Sequence, residues 1–181
     1  MKIVAIGDSI TYGFPYTPAQ SWVHLTGREL GIPFINQGVN GDTTAGMLHR
    51  FKQAVINLSP SHVIIMGGTN DAFAKVDEAI VFNNIRQMTE QAIGSSVVPL
   101  IGLPIPCIYR EDEYMLGVYR KDMREYATAN SIKVIDFHAG FIKSSQMLYD
   151  DAVHPNTAGY NIMASICIAA FASEIKQKNE T

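Results

Sequence analysis

Five short apolar runs, separated by longer stretches with helical punctuation, constrain this chain more than any other feature of its sequence. The runs are residues 2–6, 34–37, 62–66, 97–103 and 132–136. The third and fourth are continuously apolar, the pattern of strands covered on both faces by helices. Thr17-Pro18-Ala19-Gln20 sets a capping residue, a first-turn proline and a glutamine in order, and Gly31 closes that helix. A second helix is expected from about residues 42–44 to Leu58, ahead of Pro60. Asp77 caps a third, in which Ile80, Val81, Ile85, Met88 and Ala92 follow the 3.6-residue period as far as Gly94. A fourth is expected within about residues 113–129. The last starts near Asn156 and Thr157 and buries Ile162, Met163, Ile166 and Ala170.

Strands alternating with helices imply a parallel sheet covered on both sides. The expected fold is therefore α/β, a three-layer α/β/α sandwich around five parallel strands, in one domain spanning residues 1–181. With 47% hydrophobic residues the chain can fill a sizeable core. Its net charge of -3 comes without any long block of like charge, which argues against nucleic acid as a partner. Cys107 and Cys167 are too few and too far apart for a disulfide scaffold and are read as small hydrophobes in a reducing compartment. No His-x-x-x-His or Cys-x-x-Cys spacing invites a metal. The charge-free stretch 152–173 carries His154, Pro155, Asn156, Thr157, Asn161 and Ser165, so it is amphipathic and integral membrane contact is not expected. The apolar run at the N-terminus is too short for a secretory leader, and the cytoplasm is the expected compartment.

In sheets of this kind ligands sit outside the carboxyl ends of the strands, so the residues after each strand carry the functional argument. Gly7-Asp8-Ser9 follows the first run and exposes a hydroxyl at a sharp turn, although Asp and Ser serve equally as turn and cap residues. Asn40-Gly41-Asp42-Thr43 follows the second, with Gly41 allowing its N–H to approach a ligand closely and Asp42 or Thr43 opening a helix. Gly67-Gly68-Thr69-Asn70-Asp71 follows the third. It lacks the ending of a phosphate-binding loop, but Asn70 offers a neutral side-chain donor of the kind an oxyanion needs. Asp151-Ala152-Val153-His154 precedes the last helix, and on one helical or 3₁₀ turn it brings an acid and an imidazole to the same side. Asp136-Phe137-His138 is a rival pair, because positions i and i+2 of an extended segment share a face. His24, His49 and His62 lie in helix or strand patterns and are read as structural or solvated. Together these are the parts of acyl transfer: a nucleophile, a base with its orienting acid, and donors where negative charge develops.

The four blocks resemble those of the SGNH hydrolase (GDSL esterase/lipase) family, in order and at similar spacing from residue 7 to residue 154. The resemblance implies a flavodoxin-like fold, no cofactor and no metal. It implies Ser9 as nucleophile with Asp151 and His154 as its partners, and an oxyanion hole from Ser9, Gly41 and Asn70. The implied activity is hydrolysis of a small-molecule carboxylic ester, with short acyl groups, through an acyl-enzyme. Deacetylation of a carbohydrate or small metabolite, thioester hydrolysis, and a non-catalytic nucleotide- or flavin-binding module are the alternatives. Tyr12, Phe14 and Tyr16 after the nucleophile, and Ile105 within the stretch 104–115, are the expected substrate-binding residues.

Overall fold

The computed structural model describes residues 1–141 and 145–179. Strands β1 (Ile3–Gly7), β2 (Phe34–Gly38), β3 (His62–Met66), β4 (Val98–Leu103) and β5 (Lys133–Asp136) form one parallel sheet in the order β2-β1-β3-β4-β5. That is the order of the flavodoxin-like α/β fold, whose chain reverses its winding direction between β1 and β3. The principal helices are α1 (Ser9–Tyr12), α2 (Trp22–Leu30), α3 (Thr44–Ala54), α4 (Thr69–Phe73), α5 (Glu78–Gly94), α6 (Arg110–Ala129) and α7 (Thr157–Asn179).

Side chains alternate across each strand, and the two faces of the sheet build two separate cores. Val4, Ile6, Val63, Ile65, Ile101 and Leu103 pack with Phe51 of α3, Ile85 of α5 and Met123 of α6. Ile3, Ala5, Ile64, Met66 and Leu100 face the other way, onto Trp22 of α2 and Met163, Cys167 and Phe171 of α7. The three-layer expectation holds. Among the described residues no helix is long and apolar enough to cross a membrane.

Several helix boundaries differ from the sequence reading for local reasons. The expected helix from Pro18 breaks at Ser21, whose extended backbone lets its hydroxyl accept the His24 N–H, so a 3₁₀ turn (Pro18–Gln20) precedes α2. Likewise α3 stops at Ala54, and a 3₁₀ turn (Ile56–Leu58) completes the run. Helix α6 starts at Arg110, which reduces the stretch after β4 to residues 104–109. Ile80 fits the period of α5 but is 53% exposed, because the buried stripe starts at Val81. On α7 the fully buried stripe is Met163, Cys167 and Phe171, with Ile162, Ile166 and Ala170 along its margin.

One contact in this frame bears directly on the site. The end of β2 runs so close to α1 that a Cβ on Gly38 would lie 2.1 Å from the Tyr12 backbone nitrogen. Helix α1 carries Ser9, so the glycine lets that helix rest against the sheet. Gly38→Ala is expected to cost about 1–3 kcal/mol, as overpacking against backbone does, measured by urea denaturation. A stability equal to that of the unsubstituted chain would count against this packing.

Candidate active site

Chain direction sets the first half of the site. Strand β1 ends at Gly7, and the Asp8 carboxylate accepts the Ile10 N–H at 2.9 Å, which caps α1. Ser9 is the first residue of that helix and only 8% exposed. Asp8 itself is buried beneath it. Burial pushes its carboxyl up to about 7, the Ile10 N–H pulls the other way, and the nearby Asp71 and Asp42 charges add to the rise.

The second half comes from the loop before α7. Leu148 pairs with Pro155, and the Tyr149 N–H donates to the His154 carbonyl at 2.7 Å, closing a narrow loop. Asn156 fastens its base by donating from Nδ2 to the Gln146 and Leu148 carbonyls. The sequence reading expected Asp151 and His154 on one helical or 3₁₀ turn. The structure instead shows a turn built on the Asp151 side chain, whose Oδ1 accepts the N–H groups of Val153 at 3.0 Å and His154 at 2.9 Å. The other oxygen, Oδ2, lies 2.6 Å from His154 Nδ1. Burial pushes the Asp151 carboxyl up, but those two N–H groups and the imidazole outweigh it and hold it below its ordinary range.

The two halves meet at Ser9 Oγ, which is 2.8 Å from His154 Nε2. With the ring proton on Nδ1, donated to Asp151, Nε2 is left to accept from the hydroxyl. The rival acid and imidazole do not form such a pair. Asp136 accepts from Arg124 at 2.9 Å and from the Ala139 N–H at 3.1 Å, while His138 Nε2 lies 3.8 Å from Glu113. His24 and His49 are exposed, and His62 is half-buried against Ser61.

Gly41 lies in the turn after β2 with φ +77, a left-handed backbone that favours glycine. The turn is tied to β1 by the Val39 N–H donating to the Gly7 carbonyl at 3.1 Å. Asn70 is the second residue of α4, and its Nδ2 donates to the Asp42 carbonyl at 2.8 Å, which joins it to the residue following Gly41. One hydrogen of that amide remains for another acceptor. Neither the Ser9 nor the Gly41 N–H has an acceptor among the described residues.

Of the expected substrate-binding residues, Phe14 is 38% exposed with its ring 4.6 Å from the His154 ring, and Tyr16 stands edge-on to Tyr149 and Tyr160. Tyr12 is half-buried, its carbonyl accepting from Asn36 Nδ2. Ile105 is placed differently from the sequence reading. It is 1% exposed and packs in the core beneath α2 and α7, because the chain after β4 still runs inside the apolar layer there. The sequence reading also missed Tyr160, in the first turn of α7, whose hydroxyl donates to the Phe14 carbonyl at 2.6 Å. A tyrosine three to four residues into an amphipathic helix carries no signal of that tie.

Residues 5–162 match the model of the GDSL-like lipase/acylhydrolase family. The chain belongs to that family. As a member it is an ester-hydrolysing enzyme, which decides against the non-catalytic nucleotide- or flavin-binding module. An acetylxylan esterase of Geobacillus stearothermophilus is 28% identical over 96% of this chain and 93% of its own length. An uncharacterized lipoprotein of Bacillus subtilis (strain 168), YqeF, is 29% identical over 66% of this chain, and the match spans 54% of that protein. Among solved structures, a member of the lipolytic protein G-D-S-L family from Veillonella parvula DSM 2008 aligns with a TM-score of 0.86 at 26% identity, covering 95% of this chain and 98% of that one. Among the described residues of this GDSL-family chain, no group of three His, Cys, Asp or Glu side chains could hold a metal ion.

Asp8 binds its proton more tightly folded than unfolded, so its contribution is fully favourable below about pH 3.8 and is lost as pH rises through about 7. Between pH 5 and pH 8 that loss amounts to roughly 2–3 kcal/mol. Asp8→Asn keeps an acceptor for Ile10 and removes the titration, so the fall in stability over this range should shrink by that amount in urea denaturation. An unchanged pH slope would show that Asp8 titrates normally.

Proposed function

We propose that this chain is a serine esterase acting through an acyl-enzyme, as a single domain spanning residues 1–181. The observation that carries the reading is the unbroken relay from Ser9 Oγ through His154, 2.8 Å away, to Asp151, 2.6 Å from the other ring nitrogen. His154 takes the hydroxyl proton as Ser9 attacks the ester carbonyl, and Asp151 holds the ring and stabilises the imidazolium. The carbonyl oxygen, now negative, is met by the N–H groups of Ser9 and Gly41 and by the remaining Asn70 amide hydrogen. His154 then protonates the departing alcohol, and a water activated by the same ring releases the acid. No cofactor, metal or nucleic acid enters this scheme.

The substrate is a small-molecule carboxylic ester with a short acyl group. Phe14 lies against the imidazole, and Tyr109, whose hydroxyl donates to the Asp151 carbonyl at 3.4 Å, stands beside the acid. In this reading these rings limit the acyl group to a short chain. Deacetylation of a carbohydrate is the second reading, favoured by the match to the acetylxylan esterase over nearly the whole chain. The buried free thiols of Cys107 and Cys167 suit a reducing compartment, and the cytoplasm is the location we assign.

Ser9→Ala should abolish nearly all turnover and labelling by a fluorophosphonate while leaving thermal unfolding unchanged; full activity in that variant would refute the assignment. Asn70→Ala should lower kcat by about 10²–10³, the loss typical of one oxyanion donor, with KM little altered. An effect confined to KM would make Asn70 a binding residue only. Across p-nitrophenyl esters from acetyl to palmitoyl, activity should be highest at the short end, and a maximum at palmitoyl would reject the short-acyl reading.

A further inference from the structure

The Arg50 guanidinium lies outside the catalytic relay but bonds to the strand ends ahead of Ser9 and Gly41 and to Asp42, the residue that holds the Asn70 amide. Its Nη2 donates to the Gly7 carbonyl at 3.0 Å and to the Gln37 carbonyl at 2.9 Å. These carbonyls stand at the ends of β1 and β2, two residues before Ser9 and four before Gly41 respectively. Its Nε donates to Asp42 Oδ2 at 2.7 Å, and both side chains are largely buried, at 20% and 10% exposure. The Asp42 carbonyl in turn holds the Asn70 amide at 2.8 Å.

From this geometry we infer that Arg50, paired with Asp42, is a positioning residue that sets the mutual placement of the Ser9, Gly41 and Asn70 donors. The inference rests on the reading of those three groups as the oxyanion hole. Strand ends and the turns that follow them are the least constrained parts of a parallel sheet, since the ladder stops there. Ser9, Gly41 and Asn70 come from three such turns. Donors must stand within a few tenths of an ångström of where charge develops if they are to act without reorganising. A planar guanidinium reaches three acceptors in fixed directions. A lysine ammonium retains the attraction to Asp42 but not the fork. A charge-assisted hydrogen bond is also stronger than a neutral one, which favours this device at a half-sheltered position. Arg50 sits on α3 two helical turns beyond Asp42, so the helix that follows the Gly41 turn supplies its own clamp.

The test compares Arg50→Ala, Arg50→Lys and Asp42→Asn with Asn70→Ala, singly and with each of the first two combined with Asn70→Ala. Steady-state kinetics and the acylation burst on p-nitrophenyl acetate are read beside thermal unfolding. The Arg50 variants should lose about 10- to 100-fold in kcat, as small misplacements of catalytic groups do, with KM within about threefold. Asn70→Ala introduced into Arg50→Ala should cost far less than it does in the unsubstituted chain, because the donor is already misplaced. Added guanidinium should restore part of the activity of Arg50→Ala and none of that of Asn70→Ala. Where Arg50→Ala does not fold, Arg50→Lys and Asp42→Asn carry the comparison. If folded Arg50 and Asp42 variants keep full kcat, or their losses multiply independently with that of Asn70→Ala, while Asn70→Ala alone lowers kcat, the clamp is overturned and the oxyanion reading stands. If Asn70→Ala alone leaves kcat unchanged, the oxyanion reading fails and takes the clamp with it.

Discussion

A single hydrogen bond, between Ser9 Oγ and His154 Nε2, closes a span of 145 residues and ties the first turn of the chain to the loop before its last helix. Neither partner could find the other through local structure. Helices α2 and α7 share one core, with Trp22 and Phe171 buried on the same side of the sheet. That packing puts Tyr160 of α7 and Ile10 of α1 in one core, and the Tyr160 hydroxyl fixes the result by donating to the Phe14 carbonyl. Phe14 then lies against the imidazole. Hydrophobic burial thus supplies the approach, and two directional contacts supply the geometry.

The site is assembled from parts that fold locally and are costly to leave half-made. Asp151 is held by two backbone N–H groups before it meets the ring, so its carboxylate is oriented by its own turn. Ala152, inside that turn, adopts a left-handed backbone at φ 61, which an alanine takes up only where its surroundings impose it. Its N–H donates to Tyr149, and its carbonyl accepts from Ile108 of the segment after β4. On the opposite side Asp8 is buried, and that burial, with the nearby Asp71 and Asp42 charges adding to it, weakens the fold as pH rises. Burial raises the Asp71 carboxyl as well, and the Thr44 N–H and hydroxyl, which bind it to the start of α3, offset only part of that rise. Stability is given up at Asp8, in the place where the chain must turn sharply to present Ser9.

Much of this is legible in the sequence. Continuous apolar runs marked the central strands, because a strand covered on both faces has no polar side to show. Gly7, Gly41, Asn70 and the Asp151–His154 spacing stood out because each follows a strand or precedes a helix. Ile80 follows the helical period yet lies exposed, because periodicity alone does not say where a buried stripe begins. Ile105 lies in the core, and proximity to a strand end does not reveal which side of the apolar layer the chain occupies. From the residues alone, Asp136–His138 and Asp151–His154 were equal candidates. Each is a local acid–imidazole pair, and only a distant partner distinguishes them.

Sequence by itself determined the strand and helix pattern, the layered fold and a short set of candidate groups at the strand ends and before the last helix, since these follow from periodicity and side-chain chemistry within short windows. Tertiary structure decided which imidazole meets the hydroxyl, that the acid is held by its own side-chain turn, and that Arg50 reaches the ends of two strands and Asp42 at once. Those outcomes depend on directions and distances between segments far apart in the chain, and they come into being only when the two cores close on either side of the sheet.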